Sequence, residues 1–177
     1  MSIFKWFYRV LLTTNSIILL LIVYCIKERL WIPRFGVYTV ILYGIAPICL
    51  ATLCIKLRCL LSGDSIVGDI QGIELANDAY LPSYLGYFFV ALSIPTKDSI
   101  TLGFVFTILF LFVFCSQALY YNPLFLILGY KFYYVMNSRK MKIFIISKRE
   151  IRTVDVVTFK NLKRINDYTF IDEEKDK

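Results

Sequence analysis

The stretch from Ser99 to Tyr130 constrains the fold more than any other part of this sequence. Its 32 consecutive residues include no Asp, Glu, Lys or Arg. A straight α-helix of that length would be about 48 Å long, whereas the hydrocarbon layer of a bilayer is about 30 Å thick. Asn122-Pro123 predicts where the helix has ended, because proline lacks an amide proton and its ring clashes with the preceding turn. The sequence therefore predicts a membrane span over residues 99–121.

Three further apolar stretches precede this one, and composition favours reading all four as membrane spans. The chain is 58% hydrophobic and 17% aromatic, with a mean hydropathy of +0.65, which is typical of integral membrane proteins. The predicted spans are residues 10–26, 35–57, 79–96 and 99–121. The predicted fold class is an α-helical integral membrane protein, with a four-helix transmembrane domain over residues 1–121.

Small residues in the second predicted span indicate a packing surface. Gly36, Gly44 and Ala46 lie there, and small residues let membrane helices approach closely. These three residues are therefore candidates for oligomer packing. Ser62 to Asp78, which follows this span, has acidic residues and no base. Its acids do not follow the ligand order of a calcium loop, so a solvated loop is predicted.

Residues 122–177 change character and predict a small β-rich domain. Short aromatic and β-branched runs alternate there with turn residues, a pattern typical of strands. One or two strands are predicted over Leu124–Val135, and a basic turn over Asn161–Asn166. The other predicted strands are Met141–Ser147, Thr153–Phe159 and Tyr168–Ile171.

Two basic turns in this tail are candidate partner-binding sites. The first contains Lys148, Arg149 and Arg152, and the second contains Lys160, Lys163 and Arg164. Such turns can bind anionic lipid headgroups, nucleic-acid phosphates or an acidic patch on a protein partner. The acids in the tail and the lack of an aromatic-basic stacking pattern disfavour direct nucleic-acid binding. A protein partner is the favoured interpretation.

Residues that carry common chemistry are missing, which disfavours an enzyme. The chain has no histidine, the commonest general base and metal ligand. Its five cysteines form no CxxC pair, so neither a zinc site nor a disulfide framework is indicated. No metal and no cofactor are predicted. Lys and Arg near the span ends are balanced, and the basic tail predicts a multi-pass membrane protein with both termini cytoplasmic.

The tail resembles a known family. Its matching stretches are Asn122 to Val135, Phe144 to Arg152, and Asn166 to Asp172. In these stretches the chain is similar to the KwaA family, the membrane component of the Kiwa anti-phage defence system. The resemblance implies an inner-membrane homo-oligomer, a tetramer, that docks a cytoplasmic DNA-binding partner, KwaB. It implies no catalytic residues.

Three functions remain open at this point. The first is a defence sensor and scaffold whose membrane helices register envelope disturbance while the tail holds a cytoplasmic effector. The second is a small pore-forming, holin-like effector, although the spans lack a clear polar stripe. The third is a packing subunit of a larger membrane complex.

Overall fold

The computed structural model describes residues 3–66, 70–77, 81–115, 122–137, 141–151 and 159–173. Within these ranges the α-helices are α1 Ile3–Lys27, α2 Thr39–Leu57, α3 Leu81–Ser93, α4 Ser99–Cys115 and α5 Pro123–Ile127. Short 3₁₀ helices, Gly36–Tyr38 and Arg58–Leu60, flank α2. The strands are β1 Gly63–Ile66, β2 Ile70–Leu75, β3 Lys131–Asn137, β4 Lys142–Ser147, β5 Phe159–Arg164 and β6 Thr169–Asp172.

The prediction of a four-span helical membrane protein is wrong. Among the described residues, two helical segments are long and apolar enough to cross a membrane, Ile3–Lys27 and Gly36–Leu60. The chain also contains a six-stranded sheet. Helix α3 has 13 residues, a length of about 20 Å, which is less than the hydrocarbon thickness. The uncharged run at residues 79–96 therefore overstated the helix, which ends before Pro95. Residues 116–121 of the fourth predicted span lie outside the described residues.

Helix α1 is the central member of the helical layer and contacts α2, α3 and α4. At its C-terminal end, the ammonium of Lys27 donates hydrogen bonds to the carbonyl oxygens of Leu92 and Ile94 at the end of α3. At its N-terminal end, the Arg9 guanidinium donates to the carbonyl oxygen of Phe114 in α4 at 3.2 Å. Cations placed on helix C-termini stabilise them, because the last carbonyl groups have no partner inside the helix.

The six strands form one sheet in the order β1-β5-β6-β4-β3-β2. Only three residues separate β1 from β2 in the chain, yet these strands lie at opposite ends of that order. Ile66 and Ile70 are four Cα–Cα steps apart, at most about 15 Å. A flat sheet would place β1 and β2 five strand spacings apart, about 24 Å. The sheet therefore curls into a partly closed barrel.

The barrel has a recognisable topology when β1 and β2 are counted as two halves of a first strand. The order around the barrel is then first, second, third, fifth, fourth and back to the first. Neighbouring strands are antiparallel except β4 and β6, which are parallel. This order and these directions are those of the OB barrel, a five-stranded Greek-key barrel.

The barrel interior explains why both faces of its strands are apolar. Strand β4 is buried at five consecutive positions, Ile143 to Ser147, because one face points inward and the other packs on helices. The residues of the inner cluster are Tyr133, Val135, Ile143, Ile145, Phe159, Leu162 and Phe170. The outward residues belong to a second cluster that includes the ends of α1 and α2.

Several predictions for the polar segments are corrected by the barrel. The predicted loop over Ser62–Asp78 contains β1 and β2, whose pairing partners are distant in the chain. The predicted basic turn over Asn161–Asn166 is largely β5. The predicted strand over Leu124–Val135 begins instead with α5, where Asn122 caps the helix and Pro123 occupies its first turn, a position that proline favours.

Two strand predictions agree with β4 and β6, and a third falls mostly on residues outside the described ranges. Met141–Ser147 corresponds to β4, and Tyr168–Ile171 corresponds to β6 within one residue. Residues 153–158 of the predicted strand Thr153–Phe159 lie outside the described residues. The predicted domain boundary after residue 121 stays a prediction, although the barrel takes β1 and β2 from before that boundary and four strands from after it.

Candidate functional site

The most informative site is the place where the helices meet the barrel, which we call the junction. One buried cluster joins the N-terminal half of α1, the C-terminal half of α2, helix α5 and the outer face of the barrel. Its members include Tyr8 and Leu12 from α1, Ala51 and Cys54 from α2, Phe125 from α5, and Phe132, Phe144 and Ile146 from the barrel. Helices α1, α2 and α5 therefore share one buried cluster with the outer face of the barrel, next to the separate cluster in the barrel interior.

Polar contacts tie the elements of the junction together. The Tyr8 hydroxyl donates to the carbonyl oxygen of Cys54 at 3.0 Å, which joins α1 to α2 inside the core. The Asn122 side chain accepts from the backbone N–H of Leu124 at 2.9 Å and so caps α5. The same side chain donates to the carbonyl oxygen of Asn15 at 3.2 Å. One asparagine thus fixes the start of α5 against the middle of α1.

Tyr130 lies at the edge of the junction between two cations. Its hydroxyl is hydrogen-bonded to the guanidinium of Arg58, which directly follows α2. The Arg58 guanidinium carbon lies 5.8 Å from the centre of the Tyr130 ring, and the Lys148 ammonium lies 4.9 Å from it. Arg58 is also 3.9 Å from a carboxylate oxygen of Glu173, and Lys163 is 3.8 Å from the other oxygen.

The six predicted partner-binding cations have different surroundings. Lys148 is exposed, and Arg164 pairs with Asp167 at 3.0 Å and with Asp64 at 3.8 Å. Arg149 forms a buried ion pair with Asp172 at 2.8 Å. Arg152 and the side chain of Lys160 lie outside what the structure describes. The four residues whose side chains are described therefore differ in exposure and pairing, and the role of all six in partner binding stays a prediction.

The predicted oligomer-packing residues lie on the outside of the chain. Gly36, Gly44 and Ala46 are all exposed. A Cβ atom added at Gly44 would meet no heavy atom within 4 Å, and Gly36 adopts a positive φ of +51°. Because these residues make no tight contact within the described part of the chain, their surface is available to a second copy. Oligomer packing there stays a prediction.

Sequence reasoning missed the residues that assemble the junction. Arg58 and Tyr130 are 72 positions apart, and Tyr8 is 46 positions from Cys54. No periodic pattern links positions so distant. The one available signal was Asn122-Pro123, because this pair is typical of an N-cap followed by the first helical residue.

The junction combines cations and an aromatic ring at the edge of a packed cluster. Among the described residues, no group of three His, Cys, Asp or Glu side chains lies close enough to hold a metal ion. Cations and aromatic rings of this kind can bind an anionic partner. Packed helices can couple a movement of one element to a movement of another.

Comparison with known proteins identifies the family. The family described as anti-phage protein KwaA matches residues 8–171, which includes the helices, the junction and the barrel. No curated protein and no solved structure gives a significant match to the chain. On the family match, the chain belongs to the KwaA family of anti-phage proteins.

Proposed function

We propose that this protein is a membrane-embedded, non-enzymatic sensor and scaffold of an anti-phage defence system. Helices α1 and α2 cross the bilayer, and the barrel docks a cytoplasmic DNA-binding effector of the KwaB kind. The observation that carries this proposal is the shared core of the junction. Because packed cores rearrange as units rather than deforming continuously, a displacement of α1 against α2 would alter the barrel surface.

The surface of the helical layer supports membrane insertion. Large apolar side chains are exposed on each of the four longer helices, for example Ile41 at 59%, Phe89 at 67% and Phe104 at 67%. Soluble monomers rarely expose contiguous apolar patches of this kind. Lipid contact would remove these side chains from water. The α3–α4 hairpin accordingly lies against the bilayer beside the two spanning helices.

The junction also supports the proposed orientation. Tyr8, near the start of α1, shares a core with the barrel, so the N-terminus and the barrel lie on the same side of the membrane. Helices α1 and α2 return the chain to that side before β1. Four of the six barrel strands come from the basic tail. Basic segments next to membrane spans remain in the cytoplasm. Both termini are therefore proposed to be cytoplasmic.

The outer face of the barrel favours a protein partner over direct binding of nucleic acid. OB barrels that bind oligonucleotides use the outer face of their second and third strands. These strands correspond to β3 and β4, whose outward residues Phe132, Phe144 and Ile146 are 0% exposed at the junction. The usual nucleic-acid face is thus covered by the protein's own helices.

The β1–β5 side of the barrel is the proposed docking surface for the effector. A cleft of about 400 Å³ lies there, lined by Asp64, Asn161, Lys163, Glu173 and their neighbours. Arg164 borders it and is 41% exposed. Mixed charges in an open cleft suit a polar partner surface, where complementary charge sets register and association rate.

Co-purification with the candidate effector tests the proposal. Replacing both Lys163 and Arg164 with Glu should abolish recovery of the effector while the protein still fractionates with membranes. Lys142→Glu is the matched control, because Lys142 is an exposed cation at the start of β4 and does not line the cleft. Equal recovery with all three proteins would place the docking surface elsewhere. Recovery of the wild type from the soluble fraction would reject membrane insertion.

A topology reporter tests the orientation separately. A reporter active only in the cytoplasm should work when fused after Lys177 and fail when inserted between α1 and α2, for example after Arg34. The reverse pattern would contradict a cytoplasmic barrel.

A further inference from the structure

We propose that Arg58, Lys148 and Tyr130 form a binding site for the phosphodiester headgroup of an anionic phospholipid. This inference rests on the membrane insertion proposed above, and goes beyond it by assigning a ligand to three named residues. The site lies at the edge of the junction, beside the end of α2.

The first argument is the unusual meeting of two cations on one aromatic ring. The Tyr130 side chain is 3% exposed, and its ring contacts both the Arg58 guanidinium and the Lys148 ammonium. A ring quadrupole attracts each cation, but the two like charges repel one another. An anion bound by both cations would offset this repulsion.

The second argument is the local shortage of negative charge. Glu173 lies 3.9 Å from Arg58 and is shared with Lys163, so one carboxylate serves two cations. In the part of the chain that the structure describes, Lys148 has no carboxylate within ion-pair distance. Among the described residues, three cations therefore share one acid, and a monoanionic phosphate would restore much of the balance. Arginine is well suited to it, since its guanidinium binds phosphate through two parallel hydrogen bonds.

The third argument is the position of the site along the membrane normal. Arg58 follows the apolar segment of α2 directly, at the level where hydrocarbon gives way to headgroups. The next turn exposes Leu60 at 59%, and Leu53 on α2 is exposed at 45%. A phospholipid satisfies both features, because its phosphate reaches the cations while its acyl chains cover the leucines. Inorganic phosphate or an oligonucleotide would satisfy only the charge.

Titration of the full-length protein in a neutral detergent tests this assignment. The probes are dioctanoyl phosphatidylglycerol, dioctanoyl phosphatidylcholine, inorganic phosphate and a short single-stranded oligonucleotide, with thermal unfolding as the readout. Phosphatidylglycerol should raise the Tm in a saturable manner, because a ligand that binds only the folded state stabilises it. The other three probes should have little effect.

Lys148→Ala should weaken the apparent affinity for phosphatidylglycerol about fivefold. This factor is the equivalent of ~1 kcal/mol per cation near an anionic surface. Lys148 is exposed, so this variant keeps the fold even if Arg58→Ala does not. Tyr130→Phe, which keeps the ring and removes the hydroxyl, should weaken the response less. Lys142→Ala is the matched control, because its ammonium also lies over a tyrosine ring, that of Tyr134 at 3.8 Å, but pairs with Glu74.

Three results would overturn the proposal. They are an equal response to phosphatidylcholine, an equal response to inorganic phosphate or the oligonucleotide, and an unchanged response in Lys148→Ala. Membrane fractionation of the same proteins separates this failure from failure of the proposed function. If the wild type is membrane-bound but shows no phosphatidylglycerol response, the headgroup site is rejected and the proposed membrane insertion stands.

Discussion

The guanidinium of Arg149 and the carboxylate of Asp172 form a largely buried ion pair, with 2.8 Å between nitrogen and oxygen. Asp172 is 0% exposed at its side chain and Arg149 is 16% exposed. The Ser147 hydroxyl donates to the same carboxylate at 2.8 Å. The pair links the loop after β4 to the end of β6, and therefore helps to close the barrel.

Arg149→Ala should destabilise the barrel strongly. Breaking a buried ion pair leaves an uncompensated charge and costs about 3–5 kcal/mol. Chemical unfolding, monitored by a signal from the barrel, measures the loss in the free energy of unfolding. Arg164→Ala provides the control, because the Arg164 pairs are exposed and such pairs contribute about 0–1 kcal/mol. Equal stability of the two variants would show that the Arg149 pair is not a structural contact.

Arg149 also shows where reading the sequence stops. Its basic neighbours and its place after a strand predict a solvated or partner-binding turn, since Asp172 is 23 positions away. β4 and β6 were predictable because each alternates or runs apolar between turn residues. β1 and β2 were not, because their polar sequences acquire strand structure only by closing the barrel. The four-span prediction failed because an uncharged stretch shows only that the residues are apolar. It does not show how many of them form one continuous helix.

Gly44→Leu should reduce oligomerisation without unfolding the chain. A Cβ atom at Gly44 meets nothing within 4 Å, so the chain itself accommodates a larger side chain. Close helix contact with a second copy would not accommodate it. The mass of the protein in mild detergent should therefore fall from an oligomer, a tetramer on the family resemblance, toward a monomer. An unchanged mass would move the oligomer contact away from this strip, and a lower Tm would indicate contacts within the chain.

Asp98 should make the α3–α4 turn sensitive to acid. Its carboxylate accepts from the Thr101 hydroxyl at 2.6 Å and from the Thr101 N–H at 3.0 Å, and these bonds hold the pKa of Asp98 below its usual value. Since the folded-state pKa lies below the unfolded-state pKa, the contribution to stability is present above the unfolded value. It is lost as the pH falls through the folded value.

The measurement for Asp98 is the Tm as a function of pH from neutral to about 3. The wild type should lose more stability over this range than Asp98→Asn, which cannot titrate but can still cap α4 through its amide oxygen. Asp167→Asn is a suitable control, because Asp167 is exposed and bonds only to the nearby Arg164 among the described contacts. Parallel pH profiles for wild type and Asp98→Asn would contradict the assignment.

Asn15 and Asn122 are neighbours whose replacement should have opposite effects. The Asn15 side chain is buried at 0% exposure in α1, and neither of its polar atoms has a hydrogen-bond partner among the residues that the structure describes. Such a group loses its hydration without compensation, so an apolar replacement of similar shape is neutral or stabilising. Asn15→Leu should therefore raise the Tm, while the backbone carbonyl that accepts from Asn122 remains in place.

Asn122→Leu should lower the Tm, because it removes both the cap of α5 and the bond to the Asn15 carbonyl. Loss of an N-cap alone costs about 1 kcal/mol, and loss of the second hydrogen bond to the Asn15 carbonyl, which keeps its helical partner, adds a further ~0.5–1.5 kcal/mol. Thermal unfolding of both variants in the same detergent gives the comparison. A lower Tm for Asn15→Leu would mean that this amide has a partner in the assembled protein, in a second copy or an ordered water. A higher Tm combined with loss of phage defence would mean that the protein retains a destabilising polar group within α1 because its function requires it.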